Sequence, residues 1–336
     1  MITASSGARL SLPASDWREL WRHAITDPAE LLQAVGLGDR TDLLPADDAG
    51  FALRVPRGFV ARMRRGDPRD PLLLQVLPQP AEHDRVEGYT TDAVGDLAAK
   101  AGHGVLHKYD GRALLIASGS CAVNCRYCFR RHFPYSEEIA AASHWQEALA
   151  QVRADPSIRE LILSGGDPLA LATHKLEELT RGLAELPQVI RLRIHTRLPV
   201  VLPERIDDTF VAWLEALPLQ KVVVLHANHA NELDAAVDAA CARLRDAGAT
   251  LLNQSVLLRG INDEAGTLAA LSERLFAAGV LPYYLHQLDR VQGAAHFEVD
   301  DGTALDLQEA LRARLPGYLV PRLVREVAGD PAKRPL

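Results

Sequence analysis

The sequence has few cysteines, no long apolar segment and no excess of positive charge. Only four of its 336 residues are cysteines, too few for a disulfide scaffold at this length. No run of about 18 apolar residues could span a bilayer, and the beginning of the chain lacks the pattern of a secretory signal. Lys and Arg total 37 against 44 Asp and Glu, a net charge of −7, so no global attraction to nucleic acid is expected. These absences predict a cytoplasmic protein that binds neither membrane nor nucleic acid.

Apolar residues make up 48% of the chain, enough to bury a sizeable core. The length fits one large α/β domain with additions or two smaller domains, at about 100–200 residues per domain. Residues 1–105 read as a helical or irregular N-terminal extension, with predicted helices at Asp16–His23, Pro28–Val35 and Thr91–Ala101.

From about residue 113, short apolar runs alternate with longer amphipathic segments. The runs begin at Ala113, Glu160, Val189, Lys221, Thr250 and Leu281. The last five starts are 29, 32, 29 and 31 residues apart, the size of a strand plus a crossover helix. Six such units predict an α/β core at 106–300, followed by a C-terminal helix and loop at 301–336. In such folds the ligand lies beyond the carboxyl ends of the strands.

Three cysteines follow the first predicted strand: Cys121, Cys125 and Cys128 are spaced C-x3-C-x2-C. Thiolates bind zinc or iron–sulfur clusters, and structural zinc normally takes four protein ligands. A [4Fe–4S] cluster held by three cysteines keeps one iron open. The fourth cysteine, Cys241, falls on an apolar helix face and is expected to be buried and unreactive. The alternative is a non-catalytic metal-cluster protein, which requires a fourth protein ligand.

The triplet, with an aromatic residue before its third cysteine, resembles the signature of the radical S-adenosylmethionine (radical SAM) enzymes. That resemblance implies a partial (βα)6 TIM-like barrel and a cluster that reduces S-adenosylmethionine to give a 5′-deoxyadenosyl radical. HKYDGRALLIASGSCAVNCRYCFRRHF, RLPVVLPERI, QSVLLRGIND, PYYLHQLD and GDPAKRPL further resemble the lysine 2,3-aminomutase family in order and separation. The family is an isomerase family that also uses pyridoxal 5′-phosphate.

Polar and glycine residues at strand ends are candidate contacts for S-adenosylmethionine. Gly165 and Gly166 allow close backbone approach, and Asp167 supplies an acceptor where the family contacts the amino group of this cofactor. The same Gly-Gly-Asp sequence is also simply a good turn. His226 and Gln254 are candidates for orienting the cofactor carboxylate, with a satisfied core polar residue as the alternative for each.

The resemblance also assigns residues to pyridoxal phosphate. Lys333 matches the family's Schiff-base lysine, whereas by itself a lysine in a terminal loop would be expected to be a solvated charge. Lys108, Tyr109 and Arg112 match the basic segment that binds the phosphate, and surface solubility is the alternative for each basic residue.

For the substrate, Arg130 matches the family arginine that pairs with a carboxylate, to which its planar fork is suited. Asp289 and Glu326 match two carboxylates that bind the ε-ammonium of lysine. Two positions depart from the family pattern: Glu326 replaces an aspartate, and His286 stands where free-lysine enzymes carry a tyrosine.

The implied reaction converts L-α-lysine to β-lysine. The deoxyadenosyl radical removes hydrogen from C3 of the lysine aldimine, nitrogen migrates from C2 to C3, and hydrogen returns. ITDPAELL and GDPAKRPL resemble the short bacterial branch that makes β-lysine for elongation factor P, to which a ligase similar to lysyl-tRNA synthetase attaches it. A metabolic aminomutase acting on lysine or a related amino acid is the alternative. A reducing donor of the flavodoxin or ferredoxin type is a further implied partner, and a homo-oligomer is left open.

Overall fold

A computed structural model of the protein describes residues 16–46, 50–138, 145–183 and 185–336. Its strands form one ten-stranded sheet in chain order. They are β1 Lys100–Gly102, β2 Val105–Tyr109, β3 Arg112–Ser118, β4 Glu160–Gly165, β5 Arg191–Thr196, β6 Gln220–Leu225, β7 Ala249–Val256, β8 Leu281–His286, β9 Arg322–Arg325 and β10 Arg334–Pro335. The α-helices are α1 Trp17–Arg22, α2 Pro28–Ala34, α3 Arg57–Val60, α4 Pro71–Leu74, α5 Tyr135–Glu138, α6 Trp145–Ala154, α7 Thr173–Leu183, α8 Leu198–Val201, α9 Asp208–Ala216, α10 Ala235–Asp246, α11 Ala265–Ala277 and α12 Asp301–Arg314.

The centre of the sheet is parallel. Strands β3 to β9 pair in parallel with their neighbours, while β1, β2 and β10 add antiparallel pairs at the two edges. Each of β3 to β8 is followed by a longer helix, in turn α6, α7, α9, α10, α11 and α12. Six βα units in consecutive order give the partial barrel, and the predicted fold class is confirmed.

Successive side chains along a strand point alternately into the apolar core and to the inner face of the barrel. On β5, Leu192 and Ile194 are buried in the main apolar core, whereas Arg193 and His195 point to the opposite face. The apolar side chains of α7 and α9 belong to the same core, as do those of α1 and α2 in the N-terminal extension. Polar side chains on the inner face therefore look into the barrel.

The six predicted strands coincide with β3 to β8, and the first two predicted helices are α1 and α2. Each of these helices is capped by an aspartate, Asp16 or Asp27, whose carboxylate accepts a backbone N–H of the first turn. The predicted helix at Thr91–Ala101 is wrong. There Asp92 accepts hydrogen bonds from the backbone of Asp96 (2.9 Å) and Leu97 (3.1 Å), and Gly95 has a φ of +67°. These local bonds and the left-handed glycine favour turns over a helix.

The C-terminal segment returns to the sheet. After α12, strand β9 pairs in parallel with β8, and β10 folds back on β9 so that Arg334 lies opposite Arg325. This hairpin brings Lys333 back beside Glu326. Within the described ranges, no helix combines the length and the apolar character needed to cross a membrane.

Candidate active site

The cysteine loop begins where β3 ends and rests on the end of β4. The backbone N–H of Gly166 donates to the carbonyl of Ser118 at 2.6 Å, and that of Asp167 donates to Ser120 at 2.9 Å. A Cβ on Gly166 would lie 2.6 Å from the Ser120 carbonyl oxygen, and one on Gly165, whose φ is +124°, would overlap Ser118. The two glycines therefore make room for the loop that carries the cysteines.

Cys121, Cys125 and Cys128 are partly buried free thiols. Burial, with the other two cysteines of the triplet as neighbours, raises the pKa of Cys121; burial and Cys125 raise that of Cys128 to about 11. Among the residues described, no three Cys, His, Asp or Glu side chains are grouped closely enough to hold a single metal ion. A [4Fe–4S] cluster fits this donor set, because each thiolate binds its own iron and bound metal favours the thiolate form. Cys241 is fully buried in α10, as predicted.

The carboxylate of Asp167 is hydrogen-bonded to other groups of the protein. It accepts hydrogen bonds from the Thr196 hydroxyl (2.8 Å) and from the backbone of Leu169 (2.9 Å) and Arg197 (2.7 Å). Burial raises its pKa to about 6. These bonds tie the end of β4 to the end of β5, and the predicted contact between Asp167 and S-adenosylmethionine stays a prediction.

His226 and Gln254 lie at the same end of the barrel. The His226 ring is 5.9 Å from that of Tyr127, burial lowers its pKa to about 3, and its Nε2 has no partner in the described part of the chain. Gln254 alternates on β7 with Asn253 and Ser255, which bind the backbone behind the sheet. Gln254 thus looks toward the barrel interior, as a cofactor contact requires.

Lys333, Glu326 and Asp289 come together at the mouth of the barrel. The Lys333 ammonium donates to the Glu326 carboxylate and lies 5.8 Å from the centre of the Tyr284 ring. Burial alone would raise the pKa of Glu326, but the ammonium groups of Lys333 and Lys108 lower it to about 2. At Asp289, burial prevails and raises the pKa to about 7, against the attraction of Lys333. The site therefore already pairs one alkylammonium group with the Glu326 carboxylate, and the buried Asp289 is close enough for the charge of Lys333 to affect its pKa.

The three predicted phosphate ligands differ in what they contact. Lys108 lies 3.3 Å from Glu326 and 2.6 Å from Asp96, and the Tyr109 hydroxyl donates to Glu326 at 2.9 Å. Arg112 stacks over the Tyr109 ring at 4.7 Å, and its buried Nε has no partner among the described residues. Of the three predicted phosphate ligands, Arg112 is therefore the one best able to bind an anion.

Arg130 is held from two sides. Its Nε donates to Asp96 at 2.6 Å and its Nη1 to the Ser164 hydroxyl at 3.0 Å, while its guanidinium lies over the Phe129 ring. Asp96 is 1% exposed and also pairs with Lys108, so one carboxylate joins the two cations. Sequence reasoning missed Asp96, which ends the segment TTDAVGD upstream of β2.

Two histidines complete the inner face. Burial lowers the pKa of both His195 and His286 far below the usual value, and the nearby Lys333 lowers it further. The Nε2 atoms of both rings are buried and have no partner within the described ranges. Neutral imidazoles with open nitrogens can bind a ligand without adding charge. The RLRIHT alternation, which puts Arg193 and His195 on one face, could have identified His195 from the sequence.

Comparison with known proteins agrees with this geometry. The radical SAM superfamily profile matches residues 115–271. An L-lysine 2,3-aminomutase of Escherichia coli (strain K12) is 50% identical over 96% of this chain and 94% of its own length. The enzyme of that name from Haemophilus influenzae is 48% identical over 95% and 94%, and that from Clostridium subterminale 32% over 96% and 78%. The chain therefore belongs to the lysine 2,3-aminomutase family of radical SAM isomerases, which use a [4Fe–4S] cluster, S-adenosylmethionine and pyridoxal phosphate.

Proposed function

We propose that this protein converts L-lysine to β-lysine. The observation that carries the proposal is the contact between the Glu326 carboxylate and the ammonium group of Lys333, beside the buried Asp289 carboxylate whose pKa that ammonium group lowers. A lysine substrate brings the same alkylammonium group, and two carboxylates offset the cost of removing its charge from water. The names of the relatives support the same substrate.

Occupation of Lys333 would release the carboxylates for the substrate. Lys333 would exchange its ammonium group for a bond to pyridoxal phosphate. When the substrate amine replaces it there, Lys333 would return as a neutral amine, which does not compete with the ε-ammonium group for Glu326. Asp289 and Glu326 can then bind the ε-ammonium of lysine, while Arg130, oriented by Asp96 and Ser164, binds the α-carboxylate. Both charged ends of the substrate are then fixed, which orients the carbons between them.

The cofactors supply the bond-breaking chemistry. Cys121, Cys125 and Cys128 would hold the cluster, which together with S-adenosylmethionine would supply the radical chemistry. Lys333 would hold pyridoxal phosphate, with Arg112 toward its phosphate, and this cofactor would supply the aldehyde to which the migrating nitrogen is bound. The neutral rings of His195 and His286 keep the barrel interior polar without placing a further cation in it.

The direct test is anaerobic reconstitution followed by incubation with lysine, pyridoxal phosphate, S-adenosylmethionine and a reductant, with β-lysine measured by chromatography. Wild-type protein with full iron and sulfide that forms no β-lysine would refute the proposal. Lys333→Ala should lose the absorbance of bound pyridoxal phosphate and the activity together. Activity in Lys333→Ala would contradict only the assignment of Lys333. Cys241→Ser is the control, because Cys241 packs in α10 away from the site.

We further propose that the β-lysine modifies elongation factor P in the cytoplasm, with a flavodoxin or ferredoxin as reductant. ITDPAELL, which forms the start of α2, and GDPAKRPL, which carries Lys333, support this by their resemblance to that branch. The test is the intact mass of the factor after incubation with its ligase and the enzyme's product. A factor that stays unmodified with this product, but accepts authentic β-lysine, would favour a metabolic role.

A further inference from the structure

A buried arginine at the end of β5 contacts the middle cysteine of the triplet. Arg197 Nη1 donates to Cys125 Sγ at 2.6 Å and to the Tyr127 hydroxyl at 2.6 Å. Its Nη2 donates to Gln75 Oε1 at 2.7 Å and to Glu232 at 2.9 Å. The residue is only 6% exposed, so water does not screen the contact with the sulfur.

The residues behind Arg197 fix its position. Glu232 is fully buried and also accepts from Gln75 Nε2 at 3.1 Å and from the backbone N–H of Asn228 at 2.8 Å. The Asn228 amide in turn donates to the Tyr127 hydroxyl at 2.7 Å. This network joins the end of α4, the cysteine loop and the segment after β6. None of its residues is among those proposed above to hold lysine or pyridoxal phosphate.

We propose that Arg197 sets the reduction potential of the cluster through its hydrogen bond to Cys125. The inference rests on the proposed function, in which Cys125 is a cluster ligand. Reduction adds one negative charge to the cluster, and a cationic donor on a ligand sulfur stabilises the more negative state. Hydrogen bonds to the sulfurs and local charge are established determinants of iron–sulfur potentials. Arg197 therefore raises the potential and makes the cluster easier to reduce.

A purely structural role for Arg197 predicts a different result. If Arg197 only neutralises Glu232, its removal would destabilise the fold but leave the potential unchanged. Arg197→Gln alone leaves a buried carboxylate unpaired, which is costly. The informative comparison is therefore between Glu232→Gln and the double variant Arg197→Gln/Glu232→Gln, which differ only at Arg197 and contain no unpaired carboxylate.

Arg205 provides a matched control. It is as deeply buried, at 0% exposed, and it donates to the backbone carbonyls of Leu169 (2.7 Å) and Leu171 (3.0 Å) instead of a sulfur. Arg205→Gln should lower the melting temperature without changing the potential. Arg197→Lys in the Glu232→Gln background keeps the charge and is expected to give a potential between those of Glu232→Gln and the double variant.

The measurement is a redox titration of the reconstituted cluster, followed by electron paramagnetic resonance, after iron and sulfide have been quantified. We expect the equilibrium constant for reduction of the cluster to be about tenfold smaller in the double variant than in Glu232→Gln. For one electron this corresponds to a reduction potential that is lower by about 59 mV. Equal potentials in these two variants would overturn the inference and leave the aminomutase function intact. Loss of the cluster from the double variant alone would also overturn it, since Arg197 would then be a structural support. Failure of the wild type to assemble a cluster would instead refute the ligation by Cys125 and the proposed function with it.

Discussion

The ammonium group of Lys333 donates a hydrogen bond to the carboxylate of Glu326, seven residues earlier in the chain. The same carboxylate accepts a hydrogen bond from the Tyr109 hydroxyl at 2.9 Å and lies 3.3 Å from Lys108. Glu326 thus connects the C-terminal hairpin, which forms one edge of the sheet, to β2 near the other edge. The proposed reaction requires this carboxylate to exchange one alkylammonium partner for another.

Glu326→Gln is expected to raise the KM for lysine by about tenfold or more. A neutral amide loses the charge that binds the ε-ammonium, and hydrogen bonds to charged groups contribute about 1.5–3 kcal/mol. Steady-state kinetics at saturating pyridoxal phosphate measures the effect. Glu326→Asp, which keeps the charge on a shorter side chain, should recover part of the affinity. An unchanged KM in Glu326→Gln would show that the substrate ammonium binds elsewhere.

Asp96→Asn is expected to weaken lysine binding through Arg130. The carboxylate of Asp96 lies 2.6 Å from both Arg130 Nε and Lys108 Nζ, and an amide cannot pair with two cations at once. We expect an increase in KM of about tenfold, from the strength of hydrogen bonds to charged groups. Asp92→Asn is the control, because Asp92 caps the same turn without touching Arg130. Equal KM values in the two variants would mean that Asp96 serves the fold and not the substrate.

The strands and the cysteine loop could be predicted because their signals are local. Apolar runs separated by about 30 residues gave six strands, and the cysteine spacing identified the loop after β3. The turn at Asp92 was missed because its bonds are made by one side chain to the backbone, which competes with helix formation without changing the apolar pattern.

The partners of the charged residues could not be predicted from the sequence. Lys108 and Glu326 are 218 residues apart in the chain, and their contact depends on how the C-terminal hairpin docks on the sheet. The resemblance to the family identified both residues, but it placed Lys108 near a phosphate and gave no role to Asp96. Only the folded structure shows that Asp96 and Glu326 already neutralise Lys108.

The raised pKa of Asp289 predicts a pH dependence of lysine binding. Burial disfavours the charged form of Asp289 and raises its pKa to about 7 even against the attraction of the Lys333 ammonium group, so without that ammonium group the pKa is expected to be higher still. Only the ionised carboxylate attracts an ammonium group, so the KM for lysine should fall as pH rises through and above about 7. In Asp289→Asn this fall should be lost and the KM should be high throughout. A wild-type pH profile shared by Asp289→Asn would assign the titration to another group.

The same pKa predicts a difference in stability. Between the ordinary aspartate pKa and about 7, the folded state binds more protons at Asp289 than the unfolded state. Its contribution to the free energy of unfolding therefore falls as pH rises, by up to about 1.4 kcal/mol per pH unit. The depressed pKa of His226, about 3, acts in the opposite direction below pH 6.5. The test is therefore the difference in the free energy of unfolding between wild type and Asp289→Asn, measured with denaturant at several pH values. The histidine contributions are common to both proteins and cancel in this difference. A difference that does not vary with pH would contradict the assignment of the raised pKa to Asp289.

Gly166→Ala is expected to prevent assembly of the cluster. An added Cβ would lie 2.6 Å from the Ser120 carbonyl oxygen and 2.9 Å from the carbonyl carbon of Gly119, both backbone atoms of the cysteine loop. Backbone cannot yield as a flexible side chain can, so the loop must shift and carry Cys121 with it. We expect a loss of about 1–3 kcal/mol in unfolding free energy and of most of the bound iron after reconstitution. Gly58→Ala in α3 is the control, because its Cβ would meet nothing within 4 Å and alanine favours a helix. Full iron binding by Gly166→Ala would mean that the loop takes its metal-binding conformation without support from the end of β4.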